Sequence, residues 1–407
     1  MAGWITADAA ARRLGVKRAT LYAYVSRGVL ARRRAPGGRG SLFDAGEIEK
    51  LARRGRPRRT AGETELVIES ALTEISGGRL SYRGHEVTTL ALTRSFEDVA
   101  SLLWTGDFAA PAGWQATPEA VAAGAAAQSA LPARALPLER LQVIVPALAA
   151  TDPLRLHLDH PAVAAAAQAM IAGMVDSLPD PGRPPASSIG RPAGDIASRL
   201  WGKICAAEAG GLLAALRAAL VLLADHELAA STLAVRVAAS VRADPYAAVA
   251  TGLGALGGPL HGGASLGAEA MLAAAAVPQD AAPVVGDLLR RTGRVPGFGH
   301  FVYRAGDPRA VCLLGLVARG APGSARLAVA QAVLAEMRRR ALPEPNIDFA
   351  LAVLADVAGM ISGAGEAVFA VARTAGWIAH ALEEYDREVP LRPRAVYTGP
   401  PAGDTVG

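Results

Sequence analysis

From about Thr64 onward the chain is a succession of Ala- and Leu-rich stretches separated by short breaks. No other feature restricts the fold as strongly. Ala and Leu are strong helix formers, so the body is predicted to be all-α. With 51% apolar and only 19% charged residues, the 407-residue chain has the make-up of a packed protein rather than a disordered one. That length exceeds one compact core and suggests two or three domains. The Pro-, Gly- and Ser-rich segment 178–194 reads as a surface loop, because the stretches on either side of it are alike. No internal repeat with a period of 20–50 residues is visible.

Membrane and secretory signals are weak. The best apolar run, residues 210–224, is short and carries Arg217, so it reads as a buried helix. Asp8, Arg12 and Arg13 interrupt the region where a signal peptide needs its apolar core. Cys205 and Cys312 are the only cysteines, too few for a disulfide framework, and a reducing cytoplasm is expected. No Cys/His cluster has zinc-site spacing, so no metal is expected.

Charge divides the chain unevenly. Residues 1–60 hold 15 Lys and Arg against 4 Asp and Glu, a net +11; the whole chain carries +5, which leaves −6 for the rest. Such an asymmetry points to a polyanion partner for the N-terminal segment. Thr6 is placed to cap a helix ending at Leu14, and a second helix is predicted over residues 17–27, with Leu21 and Val25 on its buried face. Arg32, Arg33 and Arg34 then lead into the Gly-rich residues 35–40, which suit a basic hairpin tip. Asp44 is placed to cap a third helix, with Glu47 three residues on, as in a capping box. Helix, turn, helix, basic wing, helix over residues 3–54 resembles the winged helix-turn-helix of the MerR and excisionase families. By that resemblance Arg18, Thr20 and Tyr22 would read DNA, while Arg32, Arg33, Arg34 and Arg39 would hold its phosphates. A docking module or a merely solvated basic surface is the competing reading. Residues 53–59 look like a basic linker.

Three of the seven histidines carry most information. His261 lies in Gly257-Gly258-Pro259-Leu260-His261-Gly262-Gly263, just before a helical stretch. The flanking glycines permit close approach, and the positive end of that helix would keep the imidazole neutral. His300 closes Val295-Pro296-Gly297-Phe298-Gly299-His300, with Arg304 and Arg309 following, a pattern suited to an anionic ligand. Asp348 sits among Ile, Phe, Ala and Leu, surroundings that raise a carboxyl's pKa and make it a better base. His226 is the third informative histidine. Structural roles are expected for His157 and His160, and His85 and His380 show no obvious chemical neighbours. Taken together, the residues suggest proton abstraction beside a carbonyl in an anion-binding pocket.

Six segments in order resemble the citrate synthase family: Asp225-His226-Glu227-Leu228-Ala229-Ala230-Ser231-Thr232; residues 258–263; residues 296–309; Asn346-Ile347-Asp348-Phe349; residues 372–380; and residues 392–399. The resemblance spans about residues 64–400. It implies a helical large domain (residues 61–260 and 356–407) and a small domain (residues 261–355) behind the N-terminal module of residues 1–60, usually as a homodimer. It further implies that Asp348 removes the α-proton of an acyl-CoA, acetyl-CoA or propionyl-CoA, while His261 steadies the enol and His300 polarises the ketone of oxaloacetate. His226, Arg309 and Arg373 would hold oxaloacetate, Arg392 would do so from the partner subunit, and Arg304 would meet coenzyme A phosphate. No cofactor is implied; the acyl-CoA is a substrate. The sequence departs from the family's usual pattern at His85, Ala229, Ser265, Leu266 and Phe301. An enzyme with a small-molecule site and a DNA-binding metabolite sensor both remain open at this level.

Overall fold

A computed structural model describes residues 4–14, 21, 25, 30–34, 41–48, 68–109, 113–181, 194–259, 261–303, 306–393, 395, 397 and 398. The chain divides into two compact units, Met1–Glu69 and Ser70–Gly407.

In the first unit, strand β1 (Trp4–Thr6) leads directly into helix α1 (Ala7–Leu14), and strands β2 (Arg32–Arg34) and β3 (Ser41–Asp44) follow. The three strands form an antiparallel sheet in the order β1-β3-β2. Ala7, Ala10, Leu21, Leu30, Phe43 and Ile48 make its small core. Thr6 Oγ1 accepts from Ala9 N at 3.3 Å, as a capping residue does. Asp44 Oδ1 accepts from Glu47 N at 2.9 Å, at the start of a helical turn over residues 45–48. The expected capping box is not completed, because the Glu47 carboxylate instead accepts Ala31 N at 2.7 Å and ties the entry of β2 to that turn. Arg32 and Arg33 stand exposed on β2, with the Arg33 guanidinium 4.2 Å from the Trp4 ring centre. Of Arg34 the strand backbone alone is described. Arg18, Thr20, Tyr22 and Arg39 lie outside the described residues, as does most of the expected second helix.

The second unit is mostly helical, as the Ala/Leu pattern predicts, with one amendment. It begins with an antiparallel meander of β4 (Thr73–Ser76), β5 (Arg79–Tyr82) and β6 (His85–Glu86). These strands are only two to four residues long, so the brief alternation of Leu80 and Tyr82 with Arg79 and Ser81 is too short to announce a sheet. Helices α2 (Val87–Thr93), α3 (Phe96–Thr105), α4 (Pro118–Ala127), α5 (Pro137–Thr151), α6 (His160–Ser177) and α7 (Ile196–Ile204) follow. Next come α8 (Leu213–Leu223), α9 (Ala230–Ser240), α10 (Pro245–Leu256), α11 (Ala264–Ala274) and α12 (Ala281–Thr292). The last four are α13 (Pro308–Gly320), α14 (Ala325–Arg339), α15 (Ile347–Ala358) and α16 (Ala364–Tyr385).

Helix α16 is the axis of this unit. All but one of its 22 residues are buried, and it packs against α3, α5, α6, α8, α9 and α10. A helix apolar on every side belongs inside a protein. Its polar exceptions, Glu366, Arg373, Thr374, His380 and Glu384, are each at most 3% exposed and therefore require partners or a purpose. Helix α15 packs between α11 and α13, which brings the turn before α11 and the start of α13 to one place. Among the described residues, no helix is long and apolar enough to cross a membrane.

Candidate active site

Four turns converge on α15 and α16. The first is the turn after α8. Asp225 is wholly buried, His226 follows it, and Glu227 adopts φ +55°, a left-handed conformation costly for a non-glycine residue. His226 Nε2 lies 3.0 Å from the Tyr303 hydroxyl. Burial first, and then the cations of Arg309 and Arg373, hold His226 well below the usual histidine range, so it is neutral.

The second turn carries His261. Its backbone N–H donates to Gly258 O at 2.9 Å, and its Nε2 lies 2.7 Å from Ser231 Oγ at the start of α9. The ring packs edge-on against Phe369, with centroids 5.9 Å apart. Its pKa is lowered to about 4, by burial first and by Arg373 second. Burial and a nearby cation thus act in the same direction as the positive end of α11, toward the neutral imidazole.

The third and fourth turns are joined. The residues around His300 and those before Asp348 form an antiparallel bridge, with Gly299 N donating to Glu344 O at 2.8 Å and Asn346 N to Gly297 O at 2.9 Å. Gly297 has φ +79°, and a Cβ there would stand 2.8 Å from Phe349 Cβ, so glycine is required. Asn346 caps α15 by accepting Asp348 N at 3.0 Å and donates Nδ2 to Gly299 O at 3.0 Å. One side chain therefore sets the position of Asp348 relative to His300. His300 Nδ1 accepts Val302 N at 3.0 Å, which leaves the ring proton on Nε2. His300 also sits below the usual histidine range, through burial first and Arg309 second.

Asp348 is partly buried, and its carboxyl is raised to about 6. Burial is the main cause and Asp307 adds to it, while Arg309 and Arg373 oppose it. The direction is the one the apolar neighbours predict. Arg309 and Arg373 are 2% and 1% exposed. Arg309 is paired with Asp307, its Nη2 at 2.8 Å from Oδ2, and Asp307 also accepts Ile347 N at 3.1 Å. Arg373 gives Nε to Leu223 O at 2.8 Å and places its guanidinium carbon 4.5 Å from the Phe369 ring centre. A cleft of about 460 Å³ opens at the His300 turn, lined by His300, Tyr303, Asp307 and Pro343.

The structure thus gathers His226, His261, His300, Arg309, Asp348 and Arg373. Arg392 is exposed and makes no described contact with this cluster. Arg304 lies outside the described residues. Phe301 is 90% exposed, and Ser265 is buried with its Oγ 3.4 Å from Gly262 O. Among the described residues no group of His, Cys, Asp and Glu could hold a metal ion. Two buried groups escaped the sequence reading. His380, wholly buried, lies 3.3 Å from Asp225 and 2.7 Å from Arg236. Glu366, three residues before Phe369 on α16, is raised to about 7 by burial, Glu269, Glu139 and Asp348. The helical spacing of Glu366, Phe369, Arg373 and His380 was the available signal.

The fold and the site define a class: a helical protein that gathers a desolvated carboxyl, three histidines of lowered pKa and two buried arginines at one place. The family model for the citrate synthase C-terminal domain matches residues 63–394. The chain is 40% identical over 189 residues to citrate synthase 2 of Bacillus subtilis, a match covering 45% of this chain and 50% of that one. It spans about half the length of that relative and of putative citrate synthase 2 from Mycobacterium tuberculosis. A longer match joins it to citrate synthase of Haloferax volcanii, 34% identical, covering 83% of this chain and 94% of that one. The 2-methylcitrate synthase of Mycobacterium tuberculosis is 30% identical, with coverage of 79% and 84%. Among solved structures, the ternary complex of citrate synthase from Thermoplasma acidophilum with carboxymethyl coenzyme A and oxaloacetate matches with a TM-score of 0.69. The identity is 25%, and the match covers 84% of this chain and 96% of that one. The chain belongs to the citrate synthase family, a family of acyltransferases.

Proposed function

We propose that the chain condenses a short acyl-CoA with oxaloacetate and releases coenzyme A. The observation that carries this reading is the Asp348 carboxyl, held at about 6 beside two buried arginines and three neutral histidines. A base of that strength remains ionised at neutral pH and still takes up a proton. Asp348 removes the α-proton of the thioester. His261, kept neutral, holds the enol oxygen by a hydrogen bond, and fixed donors of this kind stabilise the charge that develops. His300 Nε2–H points its proton toward the ketone of oxaloacetate and supplies it as the new C–C bond forms. Arg309, Arg373 and His226 take the two carboxylates, with Arg392 added by a partner subunit in a homodimer. Arg304 meets coenzyme A phosphate. Water then cleaves the thioester, and closure of residues 261–355 on residues 61–260 and 356–407 excludes solvent until that step.

Acetyl-CoA is the first candidate and propionyl-CoA the second, since relatives of both descriptions match. One methylene is worth only about 1–3 kcal/mol of discrimination. A thiol-release assay with oxaloacetate and each thioester tests the reading. Turnover is expected with at least one, and none with either, in folded protein, rejects it. DNA binding by residues 1–60 is a second activity of the same chain, favoured by the exposed Arg32 and Arg33 on β2 and by the net +11 of that segment.

A further inference from the structure

Helix α16 grips the chain just before His226 with three side-by-side hydrogen bonds. Arg373 Nε donates to Leu223 O at 2.8 Å, Gly376 N donates to Ala224 O at 2.9 Å, and His380 Nε2 lies 3.3 Å from Asp225 Oδ2. Residues 373, 376 and 380 lie on one stripe of the helix, so three consecutive residues of the turn are held by three consecutive positions of that stripe. Gly376 makes the approach possible: a Cβ there would stand 2.4 Å from Ala224 O and from Asp225 Oδ1.

The third contact has a fixed polarity. His380 Nδ1 lies 2.7 Å from Arg236 Nη1, and a guanidinium can only donate, so Nδ1 must accept. The ring proton therefore sits on Nε2 and is donated to Asp225. Arg236 is itself wholly buried and is held by Glu384 and Glu383. Thr73 Oγ1 on β4 donates to the same Asp225 oxygen, while the Tyr82 hydroxyl donates to Asp225 O at 2.8 Å and accepts Asp225 N at 3.0 Å. A fold needs no such array to bury one aspartate; an apolar residue would do so at lower cost. What the array fixes is the residue before His226 and, through the same helix, the guanidinium of Arg373.

We propose that His380, oriented by Arg236, is a positioning residue that aims His226 and Arg373 at oxaloacetate through Asp225 and the 223–225 backbone. The inference rests on the acyl-CoA condensation reading for the identity of the ligand. It assigns His380 to oxaloacetate binding and not to the acyl-CoA end of the site.

Two amide substitutions separate the ring nitrogens. His380→Gln puts an N–H near Nε2 and keeps the donor to Asp225; His380→Asn places its polar atoms near Nδ1 and loses that donor. Kinetics of the full-length protein are measured with oxaloacetate and acyl-CoA varied in turn, together with calorimetric binding of oxaloacetate alone. His380→Asn is expected to raise KM and Kd for oxaloacetate about ten- to a hundredfold, since small displacements of positioning groups are costly. His380→Gln should stay within about threefold of the parent, and KM for acyl-CoA should hold in both. If Asn and Gln variants behave alike, or both substrates are affected in parallel, His380 is only structural and the proposal is overturned. Should His380→Asn not fold, Thr73→Val removes the other donor to Asp225 from a partly exposed strand. A rise of about tenfold in oxaloacetate KM supports the relay, and an unchanged KM overturns it. Failure of the parent protein to bind oxaloacetate at all would instead reject the condensation reading.

Discussion

At the scale of single residues, Asp348 has the most to lose and the least to stabilise. Its pKa rises from 3.8 to about 6 because burial disfavours its charge. On the condensation reading Asp348 must be ionised to act as the base, so kcat/KM should fall as pH drops through about 6. His261, lowered to about 4, stays neutral across that limb and adds no second inflection near it. A pH profile of thiol release checks this, and an acid limb below pH 5 would contradict it. Stability runs the other way. The raised carboxyl favours the folded state in its protonated form, so that contribution is present below pH 3.8 and is lost as pH rises through about 6. Asp348→Asn should therefore melt higher than the parent at pH 7.5, by an amount of order 2–3 kcal/mol, and match it near pH 3.5. The same variant should lose turnover by orders of magnitude while calorimetry still shows oxaloacetate binding; a mild loss would mean that another group is the base. That His261, His300 and Asp348 belong to one site was legible because each lies in a short, distinctive run of neighbours. His380 was not, because its partners Asp225 and Arg236 are 155 and 144 residues away.

At the scale of elements, the site depends on how helices begin and how closely they cross. Asn346 begins α15 and also donates to Gly299 O, so it links Asp348 to the His300 turn. Asn346→Ala should cost about 1 kcal/mol from the lost cap. It should reduce kcat more than that stability loss implies, because Asp348 is no longer held relative to His300; melting and kinetics on one preparation test this. Gly376 marks the crossing of α16 with the end of α8. Gly376→Ala places a methyl 2.4 Å from Ala224 O and should destabilise the protein by several kcal/mol or prevent soluble expression. An alanine variant with parental melting would mean that this crossing relaxes freely. Helix composition was readable from the Ala/Leu pattern, and α8 falls where residues 210–224 were read as a buried helix. The meander β4–β6 was not readable. Its strands are two to four residues long, and Tyr82 is fixed by long-range hydrogen bonds to Val221, Leu222 and Asp225 rather than by local alternation.

At the scale of the whole molecule, charge is divided in a way that the folded site does not require. The first 60 residues carry a net +11, and the remainder −6. On the condensation reading the acyl-CoA and the dicarboxylate meet buried arginines of the second unit, so the N-terminal excess is not needed for either. A polyanion is the partner such a charge fits. Each phosphate neutralised releases condensed counterions, and affinity for duplex DNA then falls as a power of salt concentration. If about five of the basic residues contact phosphates, the log–log slope of affinity against salt should lie near −4 or −5. Replacing Arg32 and Arg33 together by Ala should lower its magnitude by about 2 while leaving thiol release unchanged, because both residues belong to the first unit. Fluorescence anisotropy with a labelled duplex across a salt series reads the slope directly. A slope near zero, or no binding at low salt, would leave the basic segment as a solvated surface. A slope that persists with a fixed duplex but differs between duplex sequences would mean that side chains also read base edges.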